Sequence, residues 1–474
     1  MTAIVEDLRR SARTAFDRTE HERLNTACQE LLSVDPHDSE ARRLLGLAAM
    51  RDHRPDLAEP WLRETAARKP DDASSWRALA GALAAMRRES EAEALLSAAA
   101  ARGVQTAGLL VMLANLRLRL GLDAGACEAF EAAIAADPVR GEAYWGLAVA
   151  GGLTREDPIY AEAEKLIEKK RLEGAALAPV LFALAEAERR AGEADAFMAR
   201  IVDANQAQRA RLARSPEKPA ALWRNLQKRA GDLRRPSKDA GPGSAPMPVF
   251  LIGEPCCGAE LAEAMLAGEP GAFAAGEINL IRGPVLGEIA RLTRRRNLDE
   301  ALRLKPAQRD KVRAAYFERA RRIAPKARWF IDRSPGLAAH AASLRALFPE
   351  AAIVRLERPG VQQGLDIYRR YWTSPRRETC DLAAIGDNLK RAHRAFHGLA
   401  RNRNLDVAIL DAEALIDSPL DAEPALREAA KLPPSLSSFS SKGVRRARSH
   451  LARFGDDFVE AHARTFKPLV RALG

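Results

Sequence analysis

Pro248-Val249-Phe250-Leu251-Ile252-Gly253-Glu254-Pro255-Cys256-Cys257-Gly258-Ala259-Glu260-Leu261-Ala262-Glu263-Ala264-Met265-Leu266 is the stretch that decides the fold of the C-terminal half. A short apolar run ends in a glycine-containing turn, Gly253 to Gly258, and a helical pattern follows. Further β-like runs are Trp329-Phe330-Ile331, Ile353-Val354-Arg355-Leu356 and Val407-Ala408-Ile409-Leu410, with helical segments such as Ala339 to Leu347 and Asp387 to Ala400 between them. Strands alternating with helices predict an α/β domain whose parallel sheet carries helices on both faces. In such a sheet ligands sit outside the carboxyl ends of the strands. The strand–turn–helix is therefore a candidate anion cradle, built from backbone N–H groups and a helix N-terminus. It has neither the Gly-Lys-Ser/Thr ending of nucleoside-triphosphate loops nor the G-x-G-x-x-G of dinucleotide sites.

Upstream, the chain repeats itself. Pro36, Pro70 and Pro138 are spaced by 34 and twice 34, with Val104 at the missing beat. One unit shows Leu45-Gly46, Ala58, Leu62 and Pro70; the next shows Trp76, Leu79-Ala80, Ala92, Leu96 and Ala99; a third shows Leu113-Ala114, Ala126, Phe130, Ala133 and Pro138. Small residues at fixed places let two helices approach closely, a large apolar residue fills the gap, and proline ends the second helix. A fourth unit begins at Tyr144 and is interrupted near Asp157-Pro158, a fifth runs from Leu181 to Asn205, and residues 5–38 form a degenerate first unit. The pattern resembles the tetratricopeptide repeat, which implies a helical solenoid whose concave face holds a protein or peptide.

The whole chain is 474 residues, too long for one ordinary domain. Residues 1–200 hold 27 basic and 33 acidic side chains, while 201–474 hold 48 and 31, so the halves differ by sign as well as pattern. The second half should attract an anion. Its basic residues are not interleaved with aromatics and show no zinc-finger or helix-turn-helix spacing, so nucleic acid is not the expected partner. No apolar run reaches the ~18 residues of a membrane span, and the charged start lacks the apolar core of a secretory signal. Five scattered cysteines argue against a disulfide framework, and a cytoplasmic location is expected. The domains read as 1–205 for the repeats, 206–246 for a basic helical segment ending in a Pro/Gly linker, and 247–474 for the α/β unit.

The order of these parts resembles bacterial tetratricopeptide-repeat sulfotransferases, whose catalytic domain is similar to tyrosylprotein sulfotransferases. The family's Pro-Val-Phe-Ile-Val-Gly-Met-Pro-Arg-Ser-Gly-Thr-Thr corresponds to Pro248 through Glu260, and its Gly-Glu to Gly276-Glu277. Its Asp-Lys-x-Pro corresponds to Asp332-Arg333-Ser334-Pro335, and its Phe-Pro-x-Ala-x-Ile-Ile to Phe348-Pro349-Glu350-Ala351-Ala352-Ile353-Val354. Its Arg-Asp-Pro and the later helical Ser correspond to Arg358-Pro359-Gly360 and Asp366. The resemblance implies a P-loop-like sulfotransferase domain, with PAPS as co-substrate and no metal. It makes Glu277 the base on the acceptor hydroxyl and Arg333 the cation on the transferred sulfuryl group. Pro255, Cys256, Cys257, Gly258, Ala259 and Glu260 take the place of the loop around the 5′-phosphosulfate. Arg358 and Asp366 stand where the 3′-phosphate is held.

The frame is kept, and the phosphate contacts are altered. Cys256 replaces the loop arginine, Ala259 and Glu260 replace two hydroxyls, and Asp366 replaces the serine. A charged hydrogen bond is worth ~1.5–3 kcal/mol, so the lost arginine alone weakens donor binding ~10- to 100-fold. Two like charges ~4 Å apart repel by ~4 kcal/mol at an effective dielectric near 20. Two function classes follow: a PAPS-dependent enzyme acting on a hydroxyl delivered by the repeats, or a sulfotransferase-fold scaffold without catalysis.

Other groups read as structural. Cys256-Cys257 lacks a second Cys/His cluster and reads as a pair of small buried hydrophobes. His393 and His397 lie four apart, with no carboxylate motif between them, so a solvated role is expected. Ser441-Lys442-Gly443 and the run Arg445 to Arg448 could close over a phosphate, although such runs are usually solvated faces.

Overall fold

The computed structural model describes residues 2–18, 20–212, 219–231, 233, 245–399, 402, 404–434, 441–449, 451 and 455–474. Two compact units divide the chain, Met1–Arg200 and Ile201–Gly474.

In the first unit the 34-residue period sets where helices begin. First helices start at Ser39, Ala73, Ala107 and Gly141, and second helices at Pro55, Glu89 and Asp123, each 34 residues after the last. Ala58, Ala92 and Ala126 are fully buried, as are Leu62, Leu96 and Phe130 one turn on. Gly146 shows why the period needs small residues: a Cβ there would enter the Phe130 ring. A repeated polar contact accompanies the packing. The side chains of Trp76 and Tyr144 donate to the carbonyls of Pro70 and Pro138 at 2.8 and 3.0 Å, and Arg42 donates to that of Pro36. Each donor lies six residues beyond its proline and ties the turn to the next helix. Asp38 and Asp72 cap their helices by accepting two backbone N–H groups each. The expected interruption near Asp157-Pro158 is a loop between helices Gly141–Ala150 and Pro158–Glu168, where Asp157 caps the second.

The second unit is built on a five-stranded, wholly parallel sheet in the order β2-β3-β1-β4-β5. The strands are β1 (Met247–Ile252), β2 (Ala272–Gly276), β3 (Trp329–Asp332), β4 (Ala352–Glu357) and β5 (Ala408–Asp411). Side chains alternate across it: Phe250, Ile252, Phe330 and Ile353 enter one core, while Val249, Leu251, Ile331 and Val354 enter the other. Aromatic rings fill the first core, with Tyr316 and Phe348 centroids 4.8 Å apart.

Chain order sends β1 outward to β2 and back through β3, and only then across to β4. The central β1 thus ends beside the reversal of strand order, which is where α/β sheets bind ligands. β2 was not anticipated. Its sequence, Ala272-Phe273-Ala274-Ala275-Gly276, has no β-branched residue and is held by pairing with β3.

The two compact units divide after Arg200, and the repeats were expected to run to 205. Helix Ala194–Arg209 runs across it, and its end belongs to the second unit: Asn205 Nδ2 donates to the Tyr368 carbonyl at 2.7 Å, and the Trp372 N–H donates to Gln208 Oε1 at 2.5 Å. Helix Pro219–Gly231 is the basic segment, and it is packed, not free. Leu226 is fully buried and Trp223 Nε1 donates to Asn388 Oδ1 at 2.9 Å. Of the expected linker, 234–244 lie outside the described residues.

Candidate active site

The β1 loop, Glu277, Arg333 and Arg358 follow the carboxyl ends of β1, β2, β3 and β4 in turn. The β1 loop, Gly253 to Gly258, turns into helix Ala259–Leu266 through two left-handed residues, Cys256 at φ 61° and Gly258 at φ 91°. Glycine takes that conformation without strain, while cysteine is held in it by its neighbours. Gln363 Nε2 donates to the Pro255 carbonyl at 2.8 Å, and an Arg358 guanidinium nitrogen donates to the Cys256 carbonyl at 3.1 Å. Gln363 is a loop anchor with no signal in the sequence.

The loop borders a cavity of about 320 Å³. Pro255, Cys256, Cys257, Gly258, Ala259 and Glu260 all line it, together with Glu277, Arg333, Ser334, Arg370 and Trp372. The structure thus brings the expected loop and the two expected catalytic residues around one space. Ala447 of helix Ser441–Ser449 also lines the cavity, while Arg445 and Arg448 are exposed. The late basic run covers the cavity by its alanine and turns these two charges to solvent.

Arg333 is the hub of the expected catalytic pair. Its Nε donates to Glu263 Oε2 and a terminal nitrogen donates to Glu277 Oε1, both at 2.7 Å. Glu263 is buried and its other oxygen accepts the Gly276 N–H at 2.5 Å, so it fixes both Arg333 and the chain leading to Glu277. Sequence reading passed over Glu263, although a carboxylate on the buried face of a helix is itself a signal. Glu277 is the exposed member, its side chain 54% accessible. Nearby, burial raises the Asp332 carboxyl to about 6, against the pull of its hydrogen bonds from Ser334. Burial likewise raises the Cys256 thiol and pushes Cys257 up to about 12, so both are protonated at neutral pH.

Arg358 and Asp366 are not in the cavity wall. Arg358 is wholly enclosed: it donates to Asp366 Oδ2 at 2.6 Å and to Glu413 Oε1 at 2.8 Å. Asp366, also fully enclosed, accepts from Arg369 Nε at 2.7 Å. The guanidinium expected to face a 3′-phosphate is thus already met by two carboxylates of the chain. Asp366, expected beside that phosphate, is itself a hydrogen-bond partner of the arginine. Glu413 was missed, and nothing in its local sequence marks it. Arg355 repeats the arrangement, donating to Glu254 Oε2 at 2.8 Å and Glu357 Oε1 at 2.7 Å.

A family model described as the sulfotransferase family matches residues 248–417. Residues 248–417 form a sulfotransferase-family domain. The match takes in the β1 loop, Glu277, Arg333, Arg358 and Asp366, so the altered contacts lie inside it. Among solved structures, the chain is similar to the MamA protein at 21% identity, covering 40% of this chain and 96% of that one with a TM-score of 0.30. It is also similar to Pseudomonas aeruginosa pilF at 16% identity, covering 43% and 92% with a TM-score of 0.33. No curated protein matches. Among the described residues, no helix is long and apolar enough to cross a membrane.

Proposed function

We propose that the sulfotransferase-family domain transfers a sulfuryl group from PAPS to a hydroxyl, with weak hold on the donor's 3′-phosphate, and that the repeats present the acceptor, a protein or peptide. The observation that carries the reading is the Arg333–Glu277 pair on the wall of the cavity that the β1 loop borders. In the reaction the acceptor oxygen bonds to sulfur as the bond from sulfur to the bridging phosphate oxygen breaks. Adenosine 3′,5′-bisphosphate leaves with that oxygen, and the acceptor proton passes to Glu277. Arg333 supports the charge that develops on the transferred group. An approaching donor competes with Glu277 for Arg333, so its arrival frees the carboxylate that serves as base.

A second reading, a non-catalytic scaffold, is favoured by the enclosed Arg358 with its two carboxylates. Labelled PAPS with tyrosine-containing peptides separates the two. The enzyme reading expects transfer that falls at least ~100-fold in Glu277→Gln, the scale of a lost general base. Absence of transfer, together with no thermal stabilisation by millimolar adenosine 3′,5′-bisphosphate, would leave the scaffold reading standing.

A further inference from the structure

Away from the cavity, β4 and helix Leu382–Leu399 bring three metal-ligating side chains together. His393 and His397 lie one helical turn apart on the same face, their ring centroids 4.1 Å from each other. Glu357, the last residue of β4, reaches both: its Oε2 is 2.9 Å from His397 Nε2 and 3.4 Å from His393 Nδ1. One donor atom from each of the three lies within 4.8 Å of the others. We propose that Glu357, His393 and His397 form a binding site for a divalent transition metal of the zinc type.

Three features support it. Metal–ligand bonds of ~2.0–2.2 Å in tetrahedral geometry put donor atoms ~3.4 Å apart, close to the separations found. The donor set, two imidazoles and one carboxylate, suits zinc, cobalt or nickel rather than calcium or magnesium, which favour all-oxygen sites. The ligands are also supported from behind. Arg355 donates to Glu357 Oε1, which leaves Oε2 toward the histidines, and the Arg355 guanidinium stacks 4.0 Å from the centre of the Phe396 ring. Phe396 lies between the two histidines in sequence and is buried, so this contact fixes the turn of helix that carries them. Hydrogen-bonded support of a ligating carboxylate is the usual outer arrangement of metal sites.

Charge agrees with a cation. Arg355 is matched by Glu254 and Glu357 together, so with neutral imidazoles the cluster carries one net negative charge. A bound metal would pin helix Leu382–Leu399 to the end of β4. Through Arg355 and Glu254 it would also steady the β1 loop.

Without metal, the same residues could simply be histidine–glutamate ion pairs, and the test must separate the two. Chelator-treated full-length protein is titrated with Zn²⁺ by calorimetry and with Co²⁺ by visible absorption, near pH 7.5. One equivalent should bind at micromolar concentration, with tetrahedral Co²⁺ bands and no thiolate charge-transfer band. Affinity should fall at least 10-fold in each of His393→Ala, His397→Ala and Glu357→Gln. Both histidines are about half exposed or more, so their alanine variants should fold, as a circular-dichroism melt in chelator will confirm. Binding that survives in the His393→Ala/His397→Ala double variant would overturn the proposal, as would no binding by the parent protein.

Discussion

Asp366→Ser should both destabilise the protein and create a responsive phosphate site. Asp366 has no solvent exposure and bonds two arginines, Arg358 and Arg369. Removing one partner from a buried ion pair costs ~3–5 kcal/mol, because a charge is left uncompensated. Arg358 keeps Glu413, so the lower end applies, about 3 kcal/mol. At ~2–4 °C per kcal/mol for a domain of this size, the melting temperature should drop by roughly 10 °C. The vacated position suits an anion. Adenosine 3′,5′-bisphosphate at ~100 times its Kd returns about 2.7 kcal/mol, nearly the whole loss. In the parent protein, the Asp366 carboxylate opposes the same phosphate by ~4 kcal/mol at ~4 Å, so little stabilisation is expected at equal concentration. Thermal melts of both proteins, with and without the bisphosphate at low and high salt, read this directly. The rescue should fade as salt rises. A destabilised variant that the bisphosphate does not rescue would refute the assignment of Arg358 to a vestigial 3′-phosphate site.

Asp332→Asn tests the buried carboxyl. With the folded value raised to about 6 from an ordinary ~3.9, the folded state binds more protons than the unfolded one, so Asp332 costs stability as pH rises through that window. At ~1.4 kcal/mol per pKa unit the loss is about 3 kcal/mol by neutral pH, and denaturant melts should show the variant gaining on the parent between pH 4 and 7. If the difference between the two does not change with pH, Asp332 is not the titrating group. Ala126→Leu overpacks a fully buried helix contact and should cost ~1–3 kcal/mol, whereas an unchanged melt would remove the packing basis of the 34-residue period.

The parts that were legible are those in which one residue type repeats a local demand. The period survives translation into helices because each small residue meets a large one a fixed distance along the chain. Ala92 meets that demand in its unit as Ala126 does in the next. The β1 loop was legible for a related reason, since an apolar run, two glycines and a helix pattern are consecutive. β2 was hidden because its stability comes from β3, not from its own alanines. The closure of Arg358 was hidden for a deeper reason. Asp366 and Glu413 arrive from separate elements, and a sequence shows that a charge is present without showing which charge neutralises it. Glu357 was likewise invisible as a partner for His393 and His397, since it comes from a strand rather than from between them.

That distinction changes what the domain's positive charge means. Residues 201–474 carry 48 basic side chains against 31 acidic ones, which by itself suggests an anion site at the sheet edge. Yet three of the arginines placed there are each met by two carboxylates: Arg333 by Glu263 and Glu277, Arg355 by Glu254 and Glu357, and Arg358 by Asp366 and Glu413. The excess charge is therefore not stored at these positions. An anionic donor gains from any of these three only by displacing a carboxylate, and the cost depends on where the displaced group goes. Asp366 has no solvent to enter, and Glu254 is nearly as enclosed. Glu277, half exposed, can turn into water or toward an acceptor hydroxyl at little cost. Arg333 is thus the one of the three that can exchange partners, and the carboxylate it releases stands beside the cavity, where the proposed transfer needs a base.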